Sequence, residues 1–451
     1  MATLRTAITQ KRPAKFHFSF VITTLAIMLA SGALSFAQTM TVLHTFNQVQ
    51  GDGYSPFAPV VIDQNGVLYG TTFYGGNLNC PGGSGVGCGE VFEVAPTKLS
   101  TGEWKYSAIY EFTGGKDGCC VYSALTLDRK GRLYGVTEFA SPTDKLFRLT
   151  PPAKPGAFWH FKDLYDFTNG LYPNTPLLID SAGALYGVSP YGGLPGCGSS
   201  GCGVVLQFVP AKHGPWTENI LYQFTGGADG AYPDSIVLDS ATGTLYGVAA
   251  GGGIISPNCT SSGGCGTVFS LTPTQAGTWN YSVLYSFTGV HDGGPYALVP
   301  GPSGDFYGLS SRGQNGEEVF KLTPRKNGTF THGPVHFFSS KNLPVDYCGY
   351  LPSFLTSEPN GVIYGTIFGD IDLYFGAIFQ LTPPAGGTGP WSYTTLWDFN
   401  ESGPDLNPNG VALGPDGALY GTTNGGDSTG GTVFRLALPS QAPWPPTDFC
   451  Y

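Results

Sequence analysis

Six places in the sequence carry a carboxylate a few residues ahead of an apolar run. Four are Asp-Gly steps: Asp52-Gly53, Asp117-Gly118, Asp229-Gly230 and Asp292-Gly293; Asp346 and Asp405 are looser versions, and a further copy has Asn169-Gly170. Two chemistries fit this pattern. Carboxylates gathered round one opening bind Ca²⁺ or a cationic group, with Asp117, Asp229 and Asp292 as the metal candidates. In an Asp-Gly turn the carboxylate instead accepts nearby backbone N–H groups. The one tight acidic pair, Asp370-Ile-Asp372, lacks the run of oxygen ligands that a compact calcium loop needs. His291, beside Asp292, is the one histidine–carboxylate neighbour to weigh for proton transfer, against a solvated loop. The ligand-binding candidates are therefore Asp52, Asp117, Asp229, His291, Asp292, Asp346 and Asp405.

The ten cysteines are the second chemical group. Cys80/Cys88, Cys197/Cys202 and Cys259/Cys265 form three local pairs in equivalent loops, and local disulfides are the economical reading. Zinc is the competing reading, because Cys197 and Cys202 stand near metal-ligand spacing; no histidine lies beside the pairs. Cys119, Cys120, Cys348 and Cys450 remain, with their pairing open. A Cys119–Cys120 bond would close a small strained ring, which favours another partner for one of them. No Gly-x-Ser-x-Gly elbow, His-Glu-x-x-His pair or phosphate loop occurs. The histidines after residue 37 recur at no common position of the repeat described next.

These residues sit between short strands of a repeating unit. Leu-Tyr-Gly, or a close variant, recurs at Tyr69, Tyr134, Tyr186, Tyr246, Tyr307, Tyr364 and Tyr420. Upstream of each lies an apolar run and a turn, as in Pro233 to Gly243. Downstream lies Gly-x-Val-Phe-x-Leu, as in Gly266 to Leu271, and then a strand such as Val283-Leu-Tyr-Ser-Phe287. Each unit thus holds four strands, A to D, rich in β-branched and aromatic residues and bounded by Gly, Pro, Asp or Asn. Seven such units predict an all-β, seven-bladed β-propeller with four antiparallel strands per blade. The run Thr41–Phe46 is a lone D strand, and Thr432–Leu436 is a C strand with no D after it. The first strand is therefore expected to complete the last blade and close the ring. The tyrosines should pack between blades, and the glycine after each should admit a large ring. The D–A and B–C connections share one face. Their length and variety make that face the expected binding surface.

The motif Leu68-Tyr-Gly-Thr-Thr72, with Gly75-Gly76 and Gly89-Glu-Val-Phe92, returns as Leu419-Tyr-Gly-Thr-Thr423, Gly425-Gly426 and Gly431-Thr-Val-Phe434. It resembles the GloVer repeat of secreted bacterial choice-of-anchor proteins. The resemblance implies an extracellular repeat protein and carries no agreed biochemical activity.

Residues 1–37 read as a signal peptide. Arg5, Lys11, Arg12 and Lys15 precede an apolar stretch, and Ser35-Phe-Ala37 offers a cleavage site. Residues 38–438 are the propeller, and 439–451 a Pro-rich tail without a hydrophobic anchor, so free secretion is expected. Cleavage would take the formal charge from −10 to −14, because the segment holds four basic and no acidic residues. That charge disfavours nucleic acid or an anionic membrane as partner and suits cations, neutral glycans or basic proteins. An aromatic fraction of 14% with only 12% charged residues excludes a disordered chain. The expected function is a secreted module, monomeric, presenting disulfide-stapled loops to a glycan or protein ligand, with no cofactor beyond possible Ca²⁺. The alternatives are a hydrolase or lyase using a carboxylate-lined channel mouth with Ca²⁺, and a passive structural surface protein.

Overall fold

The structure, a computed structural model, describes residues 38–438 except 48, 50, 82–84, 99–102, 139–143, 155–156, 168–170, 291, 314–315, 339–351, 369–374, 400–406 and 426–429. The expected signal peptide and tail, together with Asn169, Gly170, His291, Asp346, Cys348, Asp370, Asp372, Asp405 and Cys450, lie outside the described residues.

Seven four-stranded antiparallel sheets form the blades of a β-propeller. Blade 1 comprises Val61–Ile62, Leu68–Thr72, Glu90–Lys98 and Glu103–Glu111, in the order A-B-C-D. Blade 7 joins Pro408–Leu413, Leu419–Thr423 and Thr432–Ala437 to the first strand of the chain, Thr39–Thr45. Met40 pairs with Leu436 and Val42 with Phe434, so the ring closes as the sequence predicts. Among the described residues no helix is long and apolar enough to cross a membrane.

Each repeated motif residue has a packing task. The Leu-Tyr-Gly glycine faces the Val-Phe phenylalanine across the B–C ladder, as in Gly70 opposite Phe92 and Gly365 opposite Phe379. A Cβ on Gly70 would stand 2.3 Å from the Phe92 ring, so only glycine fits. The tyrosine ring reaches the next blade: Tyr134 meets Trp216 at 6.2 Å, Tyr186 meets Trp279 at 6.0 Å and Tyr420 meets Trp104 at 5.7 Å. Its hydroxyl donates to the acid of the A–B turn, as Tyr186 does to Asp180 and Tyr420 to Asp416, both at 2.9 Å. A wide aromatic body and one satisfied polar tip suit an inter-blade wedge.

The C–D ladder slips by one residue at the same place in every blade. The slip skips the D-strand leucine, as at Leu164, Leu284 and Leu396, or its stand-in. These three leucines are buried, so the β-bulge turns the extra side chain into the core.

Candidate functional site

The repeated acids of the D–A loops are held inside their own loops. Asp117 accepts from the Thr113 N–H at 2.9 Å, the Thr113 hydroxyl at 2.5 Å and the Tyr110 hydroxyl at 2.9 Å. Asp229 accepts from Thr225 N, Thr225 Oγ1 and Tyr222 Oη at 2.8, 2.5 and 3.1 Å. Asp292 does the same with Thr288 and Tyr285. Asp52 accepts from His44 Nε2, the Asn47 N–H and the Gly53 N–H. The arrangement is a latch that pins the end of strand D to the entry of the next strand A. Burial works to raise the pKa of Asp292, but the bonds from Thr288 and Tyr285 outweigh it and hold the carboxyl below its ordinary range. Among the described residues no three His, Cys, Asp or Glu side chains come together in a way that could hold a metal ion.

The latch also revises the reading of the histidines. His44 pairs opposite Val433, and His336 opposite Val319, the register that Tyr110 holds opposite Val91. Two of them therefore do share a repeat position, the latch tyrosine's. His44 stacks on Tyr106 at 3.7 Å and His336 on Tyr393 at 4.5 Å, as Tyr222 stacks on Tyr281 at 3.9 Å. A flat ring with one polar tip is what the position demands, and imidazole meets it as phenol does.

Behind each latch the backbone follows one course. Ser55, Cys120, Tyr232, Gly294 and Asn407 all take φ between 53° and 59°. Each donates its N–H to the preceding blade, as Cys120 does to Cys88 O, Tyr232 to Cys202 O and Gly294 to Cys265 O. The three expected disulfides, Cys80–Cys88, Cys197–Cys202 and Cys259–Cys265, are present with Cα separations of 6.0, 5.0 and 5.0 Å, so the accepting carbonyls sit on stapled loops. Cys119 and Cys120 are buried and form no disulfide among the described residues.

On this regular frame the side chains of blades 1 to 3 build a cleft of about 520 Å³. Its size is typical of small-ligand sites. Phe57, Tyr122 and Asn174 come from one repeat position, two residues beyond the latch exit, in three successive blades. Phe73, Glu138 and Pro190 come from another, just after strand B, with Tyr74 and Tyr191 following. Tyr172 completes the wall. Phe57 stacks on Tyr122 at 5.2 Å and meets Phe73 edge-on at 5.5 Å, while Phe73 meets Tyr74 edge-on at 4.7 Å. Tyr122 and Tyr191 remain 47% and 58% exposed, so their rings are open to a ligand.

Glu138 is the acid of the cleft. It is only 6% exposed, and its Oε1 has no hydrogen-bond partner among the described residues; the amide oxygen of Asn174 is likewise unpartnered. Its backbone is well held, because the Glu138 N–H donates to Cys119 O and Cys120 O. Burial first, and then the charge of Asp144, push the Glu138 carboxyl up to about 7. A buried acid with a raised pKa in an aromatic cavity marks a candidate binding site. The sequence did hold a signal for it. The same position reads Phe73, Glu138, Pro190, Ala250, Ser311, Phe368 and Asn424 in the seven copies, so Glu138 is the one acid there.

Solved structures resemble this chain at low identity, and the first of them shares its fold. An ancestral GH74 enzyme matches with a TM-score of 0.55 and 12% identity over 91% of this chain and 52% of its own, so this chain spans about half its length. A putative oxidoreductase (glucose dehydrogenase) from Thermus thermophilus gives 0.42 and 14% identity over 89% of this chain and 100% of its own. A Trichoderma reesei carbohydrate-active enzyme of family AA12, in its calcium form, gives 0.41 and 12% over 90% and 96%. No curated protein matches the sequence. The model of the Gloeobacter/Verrucomicrobia repeat matches residues 81–258 and again 257–444, spans that hold most of the Leu-Tyr-Gly, Val-Phe and latch positions described above. The chain belongs to the Gloeobacter/Verrucomicrobia repeat family.

Proposed function

We propose that this protein is a secreted binding module that engages a glycan or protein ligand through its loop-bearing face, with the cleft of blades 1 to 3 as the anchor point. One observation carries the reading. Six aromatic side chains and a buried acid, whose Oε1 has no partner among the described residues, converge on one cavity, whereas the equivalent positions elsewhere mix small or polar residues such as Ala250, Ser311 and Asn409 with single aromatics such as Tyr296 and Phe368. Aromatic faces supply large contact area at little conformational cost, which is how rigid binding surfaces anchor a ligand. The stapled B–C loops of blades 1 and 3 hold two sides of the cleft in place before any ligand arrives. The three disulfides also suit an oxidising, extracytoplasmic compartment.

The test is a binding survey of the exported protein against arrayed glycans and extracellular proteins, beside Tyr122→Ala and Phe73→Ala variants. Signal that the variants lose supports the reading. Absence of any signal, or signal indifferent to both substitutions, overturns it and leaves a passive scaffold.

A further inference from the structure

Resting on that reading of the cleft, we propose that the group it recognises is a small methylated ammonium, seated against the aromatic faces with Glu138 as counter-ion. Four observations lead there. The walls are mostly rings, and a ring face attracts a cation through its quadrupole. Glu138 and Asn174 line the same cavity, and each carries a buried oxygen, Oε1 and Oδ1, with no hydrogen-bond partner among the described residues. Among the described residues no Lys, Arg or His lines the cavity to neutralise the acid. The nearest lysine in sequence, Lys145, is engaged with Asp163 and Asp166.

A neutral sugar would find partners in the four tyrosine hydroxyls, Ser189 and Asn174, but it would leave the charge of Glu138 unanswered. A primary ammonium would bring three donors. A methylated ammonium requires only faces and one opposite charge, which is what the cavity supplies.

The same geometry sets the pH response. The groups facing Glu138 are Asp144 from strand C of its own blade, the Cys120 thiol from its D–A loop and Tyr172 from blade 3. None of them is cationic. A bound cation therefore favours ionised Glu138, and affinity falls as the pH drops from 8 towards 5.

The experiment is a calorimetric titration at pH 8 of the exported protein with choline, and with 3,3-dimethylbutan-1-ol, which has the same shape and no charge. Choline is expected to bind about tenfold or more tightly than the alcohol, the equivalent of the usual cation–π and ion-pair gain. Glu138→Gln should remove most of that ratio without lowering the melting temperature, and Tyr122→Ala should weaken both probes. Equal binding of the two probes overturns the ammonium assignment and leaves the cleft as a binding site. Binding of neither, with a Tyr122-dependent signal in the array survey, also overturns the assignment alone. Binding of neither with no such signal removes both readings.

Discussion

The latch loops and the aromatic cleft occupy one face of the propeller and are built from the same two connections, yet they use their acids in opposite ways. Asp117, Asp229 and Asp292 each accept two or more hydrogen bonds from their own loop, and the pKa of Asp292 is lowered as a result. Glu138 is buried without such partners, and its pKa is raised. The first arrangement lowers the energy of the folded chain. The second raises it, as it also does at Glu90 and Glu317, and what sets Glu138 apart is its place in an aromatic cavity. In a repeat protein, then, residues that recur in most blades mark the scaffold, and the blade that departs from its siblings marks the site.

Breaking the scaffold side should have the largest effect. Gly247→Ala would put a Cβ 2.4 Å from the Phe269 ring and 2.8 Å from the Ser235 carbonyl oxygen. The expected loss is about 3 kcal/mol in a urea melt, the scale of overpacking in a core. Asp292→Ala should cost about 2 kcal/mol, because Thr288 N–H and two hydroxyls lose their acceptor. The pH sign follows from the lowered pKa: this stabilisation is full above the ordinary value of 3.8 and is lost as the pH falls through the folded value. Neither substitution should alter binding in the cleft of a chain that remains folded.

On the cleft side the signs reverse. Glu138→Gln should stabilise the protein by about 1–3 kcal/mol at pH 8. A carboxyl raised from 4.5 to about 7 binds its proton more tightly when folded, so folding is penalised as the pH rises through that value. Below pH 4.5 the gain should vanish. Thermal melts at pH 4 and pH 8 would show both. Tyr122→Ala, at a half-exposed ring, should change stability by about 0.5 kcal/mol or less and weaken ligand binding. A cleft substitution that unfolds the chain would erase the distinction between the two regions.

Much of the scaffold was legible in the sequence. The Leu-Tyr-Gly spacing, the orphan strand at each end and the three cysteine pairs led to seven blades, the closure and the disulfides, because each reports local geometry. Tyr134 and its six counterparts were legible as inter-blade packing because they recur. The cleft was not. Phe57, Phe73, Tyr122 and Tyr191 lie in different loops, and only the ring of blades brings them together. The latch hid His44 and His336 because a ring stacked at one register can be phenol or imidazole, and a search by residue type separates what geometry joins. Glu138 was missed because the repeated acids drew attention to Asp117, Asp229 and Asp292, and repetition here reflects a turn.

The most direct measurement is a crystallographic soak of the protein with a mixed small-fragment library that includes sugars, amines and neutral aromatics. The account predicts that fragments collect in the cleft between Phe73, Tyr122 and Tyr191, beside Glu138. Fragments that settle instead around Asp117, Asp229 or Asp292, with that cleft empty, would contradict it.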